Sequence, residues 1–310
     1  MSQTTFFVPL ADHGLIRASG EDAANFLHNL LTNDIAHLEP SGVRQAALCT
    51  AKGRMIASFT IWRENNLAGG PDDYLLLLSA DILPGILKKL SMYVLRSKVK
   101  LADITAERSL IGVAGPNAEE LIGTLAPMTS LPFAGGTAIR IDARRFVLAL
   151  PADNATAVHA RLAAAARAGT SDDWRLAEIE AGMPRIVAAT QEAFTPQMVN
   201  YELEAVGGVS FQKGCYPGQE IVARTQYLGK VKRRMYRAKL DSVFPPGTDV
   251  FTPEAGEQHC GAVVLCAPAP AGGCEALLVV QSSGAEANAV HVGKPDGPHA
   301  QILPLPYAID

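Results

Sequence analysis

Residues 209–225 read V-S-F-Q-K-G-C-Y-P-G-Q-E-I-V-A-R-T. Eight of them, 213–220, set a thiol, an amine, an aromatic ring, two glycines, a proline, an amide and a carboxylate side by side. They lie between an extended approach over 208–211 and a helical continuation over 219–225. Gly214, Pro217 and Gly218 interrupt both strand and helix, so the loop is held for a reason other than burial. If Gly218 caps the helix that follows, Cys215 stands just ahead of a helix N-terminus, where unpaired N–H groups favour a thiolate. Lys213 pushes the same way. A free cysteine of pKa ~8.5 lowered towards neutrality becomes a nucleophile or a metal ligand. A buried, inert cysteine in a turn fits the same residues.

The loop opens a basic stretch. Lys213, Arg224, Lys230, Lys232, Arg233, Arg234, Arg237 and Lys239 face one acid, Glu220, a net +7 in a chain of net −4, so the remainder carries −11. The stretch reads either as a solvated strand face or as an anion site for a polyglutamate tail, a phosphate backbone or an acidic protein; the whole chain has no nucleic-acid footprint. With 310 residues, 48% hydrophobic and 19% charged, the expectation is a globular protein of two or three domains. The opening M-S-Q-T-T-F-F-V-P-L lacks a basic segment followed by an apolar run, and no stretch reaches the ~20 apolar residues of a membrane span. A cytoplasmic protein is therefore expected. Five dispersed cysteines without a C-x-x-C pair argue for reduced thiols.

In chain order, the pattern predicts a strand over 14–18 and a helix whose Ala23, Phe26, Leu27, Leu30 and Leu31 share one face. A hairpin over 45–50 and 55–62 turns at 51–53, followed by a strand over 74–78 and a helix over 81–97. A second region begins near Leu110: strand 110–114, helix 118–125, a hairpin over 137–150 turning at Asp142, an alanine-rich helix over 154–168 closed by Gly169, and a short helix carrying Trp174. Trp174 and Glu178 are one turn apart, suited to a flat heterocycle with hydrogen-bonding nitrogens, or simply to a core. Beyond Phe244, glycines and prolines separate short apolar runs, the pattern of a small all-β barrel from about residue 230. Phosphate-loop and dinucleotide fingerprints are missing. His259, Cys260, Cys266 and Cys274 match no zinc spacing, so no metal site is expected. Nothing in the spacing recommends a Cys–His protease.

The run F-T-P-Q-M-V-N-Y-E from Phe194, followed by the stretch quoted first, resembles the signature of the folate-binding YgfZ family, relatives of the glycine-cleavage T-protein, an aminomethyltransferase. Matching pieces occur in order: G-E-D-A-A-N-F-L from Gly20, L-T-N-D from Leu31, A-K-G-R-M from Ala51, W-R-L-A-E-I-E-A-G-M-P from Trp174, and P-L-P-Y from Pro304. The resemblance implies an α+β, T-protein-like ring of three domains around a folate pocket. Over this chain these are a first folate-binding region at 1–105, a second at 106–229 that carries the thiol loop and exchanges segments with the first, and a C-terminal β-barrel at 230–310. It implies tetrahydrofolate or a related folate as cofactor, iron–sulfur enzymes or cluster carriers as partners, and tRNA reached indirectly through enzymes that modify it. Trp174 is implied to stack on the pterin, His13 and Glu178 to line its site, Asn33 or Asp34 to hydrogen-bond it, and Arg224 to meet the glutamate tail. Cys215, with Lys213 nearby, is left as the reactive or ligating group. The T-protein's strand acids align with Ala57 and Ser58, neither of which can position an amine, so aminomethyl transfer is expected to be missing. An aminomethyltransferase with displaced acids and a tRNA-binding module are the competing readings.

Overall fold

Hydrogen bonding by Asp142 sets a tight turn of the first sheet. Its carboxylate accepts the backbone N–H groups of Arg144 and Arg145, both at 2.9 Å, and the Arg145 Nε at 2.6 Å. The Arg145–Pro151 strand leaves that turn and pairs antiparallel with Gly136–Arg140 on one side and Arg108–Ala114 on the other. The computed structural model describes residues 4–66, 69–229 and 231–309. It is an α+β structure in two compact units, Met1–Ala46 with Phe59–Trp174, and Ala47–Ser58 with Arg175–Asp310.

The first unit holds one whole sheet and most of another. One has the strand order Arg167–Ala168, Phe6–Pro9, Arg108–Ala114, Arg145–Pro151, Gly136–Arg140, Thr129–Phe133. Phe146, Leu148 and Leu150 alternate onto the face that packs Phe7, Val113 and Leu162, the last from the helix Ala152–Ala163. Gly112 lies between two residues of that core, Ile111 and Val113, and therefore faces the opposite side. The other sheet runs Val43–Cys49, Met55–Glu64, Asp73–Ser79, His13–Ser19, Lys100–Asp103. Gly14 in this sheet leaves room for Leu83 of the helix Leu83–Tyr93: a Cβ on Gly14 would fall 2.3 Å from the Leu83 Cδ1. The helix Ala23–Leu30 buries Ala23, Phe26, Leu27 and Leu30, the face its periodicity predicts.

Three helices are shorter than their sequence patterns; Ala118–Ile122 replaces 118–125, the chain leaving helical geometry at Gly123, φ 125°. Leu83–Tyr93 replaces the expected 81–97, because the chain leaves helical geometry at Leu95, which takes the left-handed region at φ 43°. Ala152–Ala163 replaces 154–168. Residues 167 and 168 instead form a strand parallel to Phe6–Pro9, where the Arg167 N–H meets the Thr5 carbonyl at 3.1 Å. Strand pairing here overrides the local preference of alanine for helix.

The second unit contains a six-stranded antiparallel half-barrel. Its order is His291–Val292, Asp249–Phe251, Gly261–Pro268, Cys274–Gln281, Arg233–Leu240, Gln301–Leu303. Its two outer strands are tied where Val292 N–H donates to the Pro298 carbonyl (3.1 Å) and Ala300 N–H to the Val290 carbonyl (2.8 Å). One side chain set, including Val263, Cys266, Leu278 and Val280, packs within the half-barrel. The alternate set, Val264, Leu265, Leu277 and Val279, packs on Tyr201, Phe194 and the hairpin residues Ala47, Cys49 and Met55. Lys230, where the barrel was expected to begin, lies outside the described residues.

Burial raises the Asp142 carboxyl, but the Arg145 charge and the two backbone N–H groups outweigh it and hold the pKa below the ordinary 3.8. A carboxyl depressed in the folded state contributes stability that is present above its unfolded pKa and is lost as pH falls through the folded one. Urea unfolding of Asp142→Asn is expected to show a flatter acid limb below about pH 4 than wild type, and parallel limbs would contradict this assignment.

Candidate functional site

The thiol loop is fastened by two glycines. Gly218 adopts φ 84° and forms the N-cap of the helix Gln219–Leu228. A Cβ on it would lie 2.4 Å from the Thr50 carbonyl oxygen and 2.8 Å from both the Gly53 Cα and its nitrogen. Gly53, at φ 69°, meets Ile221 in return, with the Ile221 Cβ 3.1 Å from where its own Cβ would stand. The A-K-G-R turn and the K-G-C-Y-P-G-Q-E loop are therefore pressed together at Gly218, where backbone atoms leave no room for a Cβ, while Gly53 supplies the left-handed φ of the turn.

Lys213 and Tyr216 of the loop are buried, and Gly214 and Cys215 between them are exposed. Lys213 is 8% exposed, and its ammonium lies 4.8 Å from the centroid of the Tyr216 ring. Tyr216 is buried too; burial, then the neighbouring Cys49, raises its phenol pKa. Burial also pushes the Cys49 thiol up to about 12. Cys215, between Lys213 and Tyr216, is exposed, whereas Cys49, Cys260, Cys266 and Cys274 are buried, and all five are free thiols. Sequence reasoning placed Lys213 as a charge near the thiol; the ring of Tyr216 is where its ammonium is found. The reach of a lysine stem allows a near-buried position of this kind, which spacing does not reveal.

The F-T-P-Q-M-V-N-Y-E run supports this loop from below. Gln197 Nε2 donates to the Val222 carbonyl of the Gln219–Leu228 helix at 2.8 Å. Asn200, left-handed at φ 58°, donates to the Met235 carbonyl at 2.8 Å, and Glu202 pairs with Arg234 at 2.5 Å. Glu202 and Arg234 are buried ions whose worth depends on each being answered. Arg234 thus serves the interior. Arg237 pairs with Glu275, Arg224 and Lys232 are exposed, and Lys230 is outside the described residues. The basic stretch is not one continuous charged face.

In the first unit, Trp174 is 3% exposed. Its six-membered ring edge and Leu10 converge on Gly112, where an added Cβ would lie 2.6 Å from the indole and 2.9 Å from the leucine. The guanidinium of Arg145 lies 5.7 Å from the centroid of the Trp174 ring. The indole Nε1 and the Arg145 Nη2 are both buried without a hydrogen-bond partner among the described residues, a costly state for donors unless a further acceptor meets them. Arg145 was missed in the sequence; a glycine inside a strand, Gly112, was the signal that something large approaches there. His13 ends the turn that starts at Leu10, its N–H bonding the Leu10 carbonyl at 3.1 Å, and its Nδ1 lies 2.8 Å from Asp12.

The other expected ligand-binding groups are engaged internally. Asn33 donates to the Gln45 carbonyl at 2.8 Å and accepts the Asp34 N–H. The Asp34 carboxylate lies 3.0 Å from His28 Nδ1 and 2.9 Å from His37 Nδ1. Burial acts to raise its pKa, and the hydrogen bonds and charge of His37, with His28, bring it below the ordinary value. Glu178 pairs with Arg185 at 3.2 Å. Ala57 is buried, and the Ser58 Oγ accepts the Ile186 N–H at 3.0 Å, so that hydroxyl is spent on the backbone.

The GCVT N-terminal domain family matches residues 10–150. The tRNA-modifying protein YgfZ of Vibrio vulnificus (strain YJ016) is 36% identical over 234 residues, spanning 74% of this chain and 69% of that protein. The protein of that name from Klebsiella pneumoniae (strain 342) is 32% identical over 321 residues, spanning 97% and 92%. Among solved structures, the glycine cleavage system aminomethyltransferase T from Bartonella henselae has a TM-score of 0.75 at 18% identity, covering 97% of this chain and 85% of that one, a likeness of fold. No helix among the described residues is long and apolar enough to cross a membrane.

Gly218→Ala must carry a side chain at φ 84° and into the Thr50 carbonyl. A destabilisation of about 2–4 kcal/mol is expected from urea unfolding, the sum of left-handed strain and overpacking. A change below about 0.5 kcal/mol, the scale of an ordinary surface substitution, would contradict the fastening role.

Proposed function

The chain belongs to the family of the tRNA-modifying protein YgfZ, and on that premise we propose that it is a folate-binding accessory protein of iron–sulfur cluster assembly or repair, acting in the cytoplasm. The enzymes it serves would include those that modify tRNA. The observation that carries this reading is the Cys215 thiol: it alone of the five is exposed, and it sits on a loop whose neighbours Lys213 and Tyr216 are turned inward. A thiol held out in this way suits a transient bond to a cluster iron, a persulfide or a partner's thiol. A reducing compartment keeps it available.

The folate would be held in the first unit by Trp174, with His13 and Arg145 near it. The fit rests on the two buried donors, the indole Nε1 and the Arg145 Nη2, for which the described residues offer no acceptor. A reduced pterin carries ring nitrogens and a carbonyl that accept hydrogen bonds, and a face on which an aromatic ring stacks. Tetrahydrofolate, when bound, supplies a one-carbon acceptor. Ala57 and Ser58 offer no carboxylate to activate an amine towards it, which disfavours aminomethyl transfer as the activity.

Two measurements test the two halves separately. Cys215→Ser, expressed in cells that lack the native copy, is expected to lose most of the support given to a cluster-dependent tRNA-modifying enzyme, and full retention would remove the thiol from the account. Tetrahydrofolate is expected to quench tryptophan fluorescence in wild type and to lose most of that effect in Trp174→Phe, since Trp62 is the one other tryptophan. Equal quenching in both proteins would take Trp174 out of the folate site.

A further inference from the structure

An exposed apolar ridge begins directly after the thiol loop. The helix Gln219–Leu228 has Val222 as its buried residue and leaves Ile221 at 42%, Tyr227 at 69% and Leu228 at 85% exposed. Ile221, Arg224 and Leu228 recur at i, i+3 and i+7 and form one stripe. Tyr227 borders it, its ring 6.0 Å from that of Phe211 in an edge-to-face contact. A single exposed leucine needs no explanation, but three large apolar side chains on ten residues, contiguous with a solvent-facing thiol, mark an interaction surface. Three cations lie in and just after the same helix in sequence. Arg224 stands in the stripe, and Lys232 and Arg233 follow the helix; among the described residues none of the three has an ion pair, while Arg234 and Arg237 of the same run are paired with Glu202 and Glu275.

We propose that this helix face docks an acidic partner protein, whose apolar surface receives Tyr227 and Leu228 and whose carboxylates meet Arg224, Lys232 and Arg233. Docking there delivers the partner's reacting group to Cys215, so the inference rests on the thiol role proposed above and adds to it how the partner is recognised. Aliphatic anchors decide against RNA: Ile221 and Leu228 gain nothing from base stacking, and a chain of net −4 is poorly suited to a phosphate backbone. In a protein interface the same side chains are desolvated at the centre, with the cations at its rim setting orientation and encounter rate. A second copy of this chain would bring the same three uncompensated cations to the contact and is disfavoured for that reason.

The test uses the full chain with Tyr227→p-benzoylphenylalanine, cross-linked by light in cells that lack the native copy. The expected result is a discrete adduct with an acidic protein, reduced at least tenfold when Leu228→Glu or Arg224→Glu is added and retained when Cys215→Ser is added. Tetrahydrofolate quenching and the Cys215 alkylation rate of the Leu228→Glu protein should match wild type, showing that the substitution leaves the fold intact. A nuclease-sensitive adduct, an adduct to a second copy of the chain, the absence of any discrete adduct, or one indifferent to Leu228→Glu and Arg224→Glu would each overturn the proposal. The cellular assay of Cys215→Ser decides the thiol role on its own: a lost adduct with Cys215-dependent activity intact sinks the surface alone, and the reverse outcome sinks the thiol role alone.

Discussion

The contact on which the thiol loop depends is the one between Gly218 and the Thr50–Gly53 turn, where a Cβ on Gly218 would fall 2.4 Å from the Thr50 carbonyl oxygen and Gly53 stands opposite in the left-handed region at φ 69°. Glycine is an entropic cost in most places, and here two are spent on one contact. What they secure is a fixed start for the helix Gln219–Leu228 and a fixed course for the loop before it. With that course set, Lys213 and Tyr216 turn inward onto each other and Cys215 faces solvent. The exposure of one thiol among five is thus a consequence of backbone packing three residues away.

Polar burial supports the same region from the other side. Gln197, Asn200 and Glu202 come from one short run and reach the helix after the loop, the strand Arg233–Leu240 and its Arg234 in turn. Burial raises the Glu202 carboxyl while the Arg234 charge lowers it, and burial has the larger effect. Removing Arg234 would be costly, because a buried ion deprived of its partner is more costly than the pair is favourable, and Gln197 Oε1 and Glu202 Oε2 already lack a hydrogen-bond partner among the described residues. The run that reads as a family signature is, in its polar residues, a scaffold for the thiol loop rather than a set of reacting groups.

Periodicity made much of the fold legible. The face of Ala23, Phe26, Leu27 and Leu30, the hairpin turns at Gly53 and Asp142, and the capping glycine at 218 all follow from local rules that tertiary structure left undisturbed. Helix ends did not follow, since Leu95 and the strand at Arg167–Ala168 answer to neighbours distant in sequence. The site was legible in type more than in geometry. Cys215 could be singled out from an eight-residue run, but nothing local states that Lys213 lies on the Tyr216 ring, or that Asn33, Asp34 and Glu178 are occupied with Gln45, two histidines and Arg185. Arg145 beside Trp174 is a contact between a hairpin and a helix, and a linear reading offers only Gly112 as its trace.

The account turns on Cys215 being the one accessible thiol of the native protein, held there by the loop. Brief alkylation of the folded chain with iodoacetamide, followed by peptide mass spectrometry, measures this directly. The expected result is rapid labelling at Cys215, with Cys49, Cys260, Cys266 and Cys274 labelled only after denaturation. Protection of Cys215 in the native protein, or labelling of the four buried thiols at a comparable rate, would contradict it.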